Sequence, residues 1–311
     1  MAMDAAILKT LQYFRQFEYA PTAAEVYTFL PTKTSKIAFY EHLEKMLKNK
    51  KAVKYTRKIS LSQMKIKNGL FDLSPDIYTV GEYSTKIKNK KLNIKNINKY
   101  AENSIKKFSK VRRYINILKY FPQIKLVGIS GSVAMLNADE KADVDLFIIT
   151  SQNRLWTGRF IAWSLAALMG IKRGRVEKNA QNKVCLNLFF DEQNMSLPQE
   201  KRGEYGGHEV LQMKPIVIKN NSYRRFLDAN KWVFRLFPNA KQEVYRQDKD
   251  KRQGDNHANR TMGDFMEKIL RNPQLYFINK HKTTELITET QLWFHPEDYS
   301  KKVKPHPDCS G

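Results

Sequence analysis

Apolar residues recur at helical spacing from the first turns of the chain, with Ile7, Leu8, Leu11 and Phe14 on one face. Pro21 and Thr22 then open a second short helix carrying Ala23, Val26, Tyr27 and Leu30. A third begins at Thr34 or Ser35 and runs to Lys50, with Ile37, Tyr40, Leu43 and Leu47 on the face predicted to be buried. The period then changes: Ala52 to Leu61 and Gly69 to Val80 read as two β-runs joined by a polar, basic connection. Residues 96–119 return to helical spacing through Tyr100, Ile105, Phe108, Val111, Ile115 and Leu118, and Pro122 ends them.

Beyond Pro122 short apolar runs alternate with helical ones. Ile124 to Ile129 and Leu146 to Ile149 read as strands, Asn153 to Met169 as a helix, and Lys183 to Phe190 as a further strand. From Tyr205 the segment GGHEVLQMKPIVI predicts a loop, a helix turn and a strand. Residues 222–237 carry Tyr223, Phe226, Leu227, Trp232, Val233 and Phe234 at helical spacings up to Pro238. A polar stretch, 241–260, predicts a mobile linker; helical periodicity resumes from Met262 to Trp293, and the tail from Lys301 predicts disorder. The expected organisation is an N-terminal unit over 1–85, a central one over 86–220 and a helical C-terminal region over 221–311, an α+β chain.

Candidate chemistry concentrates in IKLVGISGSVAMLNADEKADVDLFIIT, residues 124–150. A strand runs into Ser130, Gly131 and Ser132; after a ten-residue connection Asp143, Val144 and Asp145 open the next strand. Side chains at i and i+2 of a strand share a face, so Asp143 and Asp145 project together while Val144 faces the core. Adjacent carboxylates repel unless a cation lies between them, and hard oxygen ligands of this kind suit Mg²⁺ (or Mn²⁺), which completes its shell with water and substrate phosphates. Gly131 permits close backbone approach to a ligand and Ser132 adds a hydroxyl, as a phosphate seat requires.

A strand, Gly-Ser, a gap of about ten and Asp-x-Asp in a second strand resembles the signature of the DNA polymerase beta-like nucleotidyltransferases, over roughly residues 96–220. The resemblance implies a central mixed sheet flanked by helices. It also implies an NTP cradled by Ser130, Gly131 and Ser132, a metal held by Asp143 and Asp145, and transfer of a nucleoside monophosphate to a hydroxyl. The family places a third carboxylate on a later strand, where this chain has Asn187 as the only polar interior position. Asp191 substitutes if the register differs, with Glu192 a weaker candidate. Three helices followed by a hairpin resemble a winged helix, which implies either a protein-docking module or duplex DNA or another nucleic acid as a partner, the latter through Lys36, Lys45, Arg57, Lys58, Lys65 and Lys67.

Charge supports a polyanionic partner. Lys and Arg number 55 against 31 Asp and Glu, a net +24, and residues 1–120 hold 25 against 9. Charge runs are also commonly solvated faces, which is the plainer reading of Lys172, Arg173 and Arg175. His208, alone beside Glu209, reads as a structural hydrogen-bonding residue. Cys185 and Cys309 are too few for a disulfide framework or a Cys-rich zinc site. Phe160 to Ile171, the most apolar window, is too short to span a bilayer, and no leader pattern opens the chain, so a cytoplasmic protein without a membrane partner is expected. Without a third carboxylate an alternative stands beside the enzyme: a non-catalytic DNA-binding regulator with a nucleotide-binding or scaffold domain.

Overall fold

The computed structural model describes residues 2–58, 70–81, 94–174, 180–241, 260–280 and 285–294. Lys65 and Lys67, most of the 241–260 stretch and the tail from Lys301 lie outside them. The chain is α+β, with a two-stranded ribbon and a six-stranded mixed sheet.

Helix α1 (Met3–Gln16) buries Ala6, Ile7, Leu11 and Phe14. Helix α2 (Ala23–Thr28) starts at a capping box, in which Thr22 Oγ1 accepts from the Glu25 N–H and the Glu25 carboxylate accepts from the Thr22 N–H. Helix α3 (Lys36–Lys48) is capped by Ser35, whose Oγ accepts from the Ala38 N–H. Its buried face is Phe39, Leu43 and Met46, not the one expected: Ile37 is 75% exposed and Tyr40 46%. At 100° per residue Ile37 lies about 200° from Phe39, so a helix phased to bury Phe39 turns Ile37 to solvent. Strands β1 (Ala52–Thr56) and β2 (Asp76–Val80) pair antiparallel, shorter than the predicted runs.

Helix α4 (Ile94–Leu118) leads to β3 (Ile124–Ile129), one turn of helix α5 (Gly131–Ala134) and β4 (Val144–Thr150). Helix α6 (Leu155–Leu168) and β5 (Val184–Asp191) follow, then α7 (Glu204–Gln212) and β6 (Lys214–Ile218). The helix expected over 222–237 is broken into α8 (Ser222–Ala229) and α9 (Val233–Leu236). Buried Asn230 makes the break, donating from Nδ2 to the Met195 and Phe226 carbonyls and accepting from the Leu197 N–H on Oδ1. The helical expectation for 262–293 is also corrected. Helix α10 (Arg260–Asn279) stops short, and β7 (Leu286–Ile287) and β8 (Gln291–Trp293) are strands. Leu292 packs into one core and Trp293 against the other, the period-two alternation of a strand.

The sheet order is β6-β3-β4-β5-β8-β7, antiparallel except for the parallel pair β4 and β5. One face, through Val144, Leu146 and Ile148, packs on α4 and α6; the other, through Phe147 and Ile149, packs on α1, α7, α8 and α9. The N-terminal helices therefore share a core with the sheet, while Ala6, Ile7, Val26, Phe39 and Leu43 form a smaller core of their own. Among the described residues no helix is long and apolar enough to cross a membrane.

Candidate functional site

The ends of β3, β4 and β5 meet in a cavity of about 1490 Å³ lined by Ser130, Gly131, Ser132, Asp143, Asp145, Cys185 and Asn187. Ser130 continues the extended backbone of β3, its N–H donating to the Asp145 carbonyl at 3.0 Å. Gly131 sits at φ +63°, a region that favours glycine, and a Cβ there would collide with Asp145 Oδ2. The Ser130 hydroxyl is buried with no hydrogen-bond partner among the described residues. These residues stand together as the sequence expects.

The connection from α5 to β4 is pinned from α4. Buried Lys107 donates from Nζ to the Glu140 and Ala142 carbonyls at 2.8 and 2.6 Å, and Ser104 Oγ accepts from the Ala138 N–H. Asp143, just beyond, accepts from Arg173 Nη1 at 2.6 Å, so Arg173 has a site role that the plainer reading of its segment missed. Asp145 accepts from Asn187 Nδ2 on Oδ1. Burial, followed by the charges of Asp143 and Glu209, pushes the Asp145 carboxyl well above its ordinary range; Arg173 and Asn187 oppose the shift.

Of the two sequence candidates for a third position, Asn187 lies at the site and Asp191 does not. Asp191 pairs with Thr150 in the β4–β5 register, while Asp145 pairs with Cys185. Six residues of strand separate Asp191 from Cys185, about 20 Å. Asp191 instead accepts from the Gln193 N–H at 2.9 Å. Asn187 reaches the site, but as a hydrogen-bond donor to Asp145 rather than through its oxygen, which accepts from the Cys185 thiol at 2.6 Å. Between the Asp145–Cys185 and Phe147–Leu188 pairs β5 holds one extra residue, a bulge. Asp143, Asp145 and Cys185 offer ligand atoms within 4.8 Å of one another. Cys185, two residues before Asn187, was legible as a same-face neighbour but is apolar by type.

Two carboxylates beside an open cavity and an unpartnered hydroxyl fit a hard divalent cation with water and phosphate completing its shell. The Cys185 thiol, soft and pushed up by burial, is not a hard-cation ligand. Glu209, on α7, also lines the cavity; burial raises its carboxyl to about 7 against the pull of the Tyr205 hydroxyl. His208 is structural, stacked between Tyr13 and Phe29 at ring separations of 3.8 and 4.1 Å, and burial holds its pKa well below the ordinary value.

Of the basic residues expected on the N-terminal unit, Lys36, Lys45 and Lys58 are exposed. Arg57 is not: it is 2% exposed, and its Nη2 donates to the Asp72 and Ser74 carbonyls at the base of the ribbon. Its guanidinium fixes the segment before β2 and cannot reach a nucleic acid. Comparisons with family models, curated proteins and solved structures return no match for this chain.

Proposed function

We propose that the protein is a Mg²⁺-dependent nucleotidyltransferase of the DNA polymerase beta-like kind, transferring a nucleoside monophosphate from an NTP to a hydroxyl acceptor. The observation that carries this reading is the pairing of Asp143 and Asp145 at a cavity wall, with Gly131 packed against Asp145 and the Ser130 hydroxyl unpartnered. Asp143 and Asp145 would hold Mg²⁺ (or Mn²⁺), which when bound supplies charge neutralisation to the triphosphate. Ser130, Gly131 and Ser132 face the outer phosphates, Arg173 orients Asp143, and Asn187 orients Asp145. Glu209, raised to about 7, is suited to take the acceptor's hydroxyl proton. The acceptor oxygen then bonds to the α-phosphorus as the bond to the bridging oxygen breaks and pyrophosphate leaves.

The first three helices and the ribbon support a winged-helix reading of the N-terminal unit, with duplex DNA as the partner of Lys36, Lys45 and Lys58. One observation favours the second reading, a DNA-binding regulator with a nucleotide-binding or scaffold domain: beside Asp143 and Asp145 the strand β5 offers Cys185 and Asn187 and no third carboxylate.

Thermal unfolding with each of the four ribonucleoside triphosphates, with and without Mg²⁺, tests the proposal. One triphosphate is expected to stabilise the wild type only with Mg²⁺, by about 2.7 kcal/mol at a hundred times its dissociation constant. The doubly substituted Asp143→Asn, Asp145→Asn protein should lose this effect while staying folded; in a cell extract that supplies hydroxyl acceptors, the wild type should transfer labelled nucleoside monophosphate from that triphosphate and the double variant should not. Stabilisation without transfer favours the nucleotide-holding regulator; no stabilisation by any triphosphate sinks the enzyme and leaves the regulator with a scaffold domain.

A further inference from the structure

The cavity continues past the aspartates between α6, α10 and the end of β8, where it is lined by Arg159, Trp163, Gln274, Phe277 and Phe294. Arg159 and Trp163 are one turn apart on α6 and so share a face. Helix α10 is fastened over them: the Glu267 carboxylate accepts from the Trp156 and Thr157 N–H groups at 2.7 and 2.9 Å, and Asp264 pairs with Arg154. These bonds fix α10 over α6 and leave the pocket open on one side, where Trp163 is 41% and Phe277 65% exposed.

Arg159 is the unusual group in it. Its guanidinium lies 5.0 Å over the Phe294 ring and donates from Nη1 to Gln274 Oε1 at 2.5 Å. Gln274 is itself fixed, its Nε2 donating to the Trp156 and Leu270 carbonyls, so the plane of the guanidinium is set from two sides. Nε is buried with no partner, and no carboxylate pairs with Arg159 among the described residues. Of the other cations lining the cavity, Arg173 is paired with Asp143, and Lys172 lies 4.3 Å over the Trp163 ring, where its charge is spread on the aromatic face. A buried cation without a counter-charge is unfavourable, and a planar fork held rigid with donors unused is the arrangement that recognises an oxyanion. Burial alone lowers its pKa, to about 10, which leaves it charged at neutral pH.

We infer that Arg159 is the anion-recognition residue of an acceptor subsite, so that the hydroxyl acceptor carries a carboxylate or a phosphate beside an aromatic or apolar body. The body packs on Trp163, Phe277 and Phe294, and the anion meets the guanidinium through Nη2, since Nη1 is bonded to Gln274 and Nε is buried. This inference rests on the nucleotidyl-transfer reading above.

Benzoate, phenyl phosphate and neutral benzamide are titrated into the full chain at constant ionic strength, read by tryptophan fluorescence. At least one anion is expected to bind the wild type about tenfold or more tighter than benzamide, and which one it is separates a carboxylate acceptor from a phosphorylated one. Arg159→Gln should erase that preference, and Arg159→Lys, which keeps the charge and loses the fork, should retain only part of it. Stabilisation by triphosphate and Mg²⁺ should be the same in both variants as in the wild type. Benzamide binding as well as the anions, no binding by any probe, or a preference that survives Arg159→Gln overturns the inference. So does loss of triphosphate stabilisation in a folded Arg159 variant, which assigns the residue to the nucleotide instead. Failure of the nucleotidyl reading looks different: no triphosphate stabilises the wild type, while anion preference through Arg159 persists.

Discussion

Asp191 is a buried carboxyl outside the cavity, and burial raises it from 3.8 to about 6 even though the Gln193 N–H donates to it. In the unfolded chain it ionises near 3.8, whereas in the fold it keeps its proton to about 6. Raising the pH from 4 to 6 therefore takes the proton from the unfolded state first and favours unfolding, by at most about 3 kcal/mol. Asp191→Asn stays neutral at nearly the same shape and is expected to make the fall in stability between pH 4 and 6 less steep, while the raised carboxyls of Glu209 and Asp145 keep their own share of the slope. Urea unfolding at four pH values checks this, and an unchanged slope would mean an ordinary carboxylate. At this scale the sequence is most legible where geometry is local. Asp143 and Asp145 share a face because alternate side chains along a strand do. Cys185 is hard to single out because a thiol reads as a small apolar residue, and the bulge before Leu188 is invisible in an apolar run.

Among the elements, α4 does more than link. Its apolar stripe is readable, and Phe108, Val111, Ile115 and Leu118 are buried as the spacing predicts. Lys107 is not readable, since a lysine on an amphipathic helix looks solvated, yet here it is buried against the loop that delivers Asp143. Lys107→Met keeps the stem and leaves two carbonyls without their donor, a loss expected to cost about 1–3 kcal/mol of stability. Amide exchange across residues 138–143 should quicken and stabilisation by triphosphate with Mg²⁺ should weaken. Unaltered exchange in that loop would show that the ammonium does not hold it. Strands β7 and β8 show the opposite failure: they fall in a stretch read as helical, but pairing of β8 with β5 and of β7 with β8 decides their conformation.

For the whole molecule, two thirds of the excess charge lies in the first 120 residues, the part whose Lys36, Lys45 and Lys58 face solvent. Binding to duplex DNA is expected to weaken steeply with salt, and replacing all three lysines with alanine should lower the slope of log affinity against log salt by about 0.9 for each phosphate that is no longer neutralised. Absence of duplex binding at low salt would remove DNA as the partner. Arg57 does not belong in that set, because its charge is spent on carbonyls inside the ribbon. The sequence by itself determined the helices and strands with a clear period, helix starts at Thr22 and at Thr34 or Ser35, the juxtaposed aspartates and the uneven charge. All of these depend on backbone geometry over a few neighbouring residues. Only the tertiary structure decided that β8 returns to β5, that Cys185 stands opposite Asp145, that α1 shares a core with α7 around His208, and that Arg159 is enclosed beneath α10. Those outcomes depend on register and common burial between segments up to about two hundred residues apart, which no local pattern encodes.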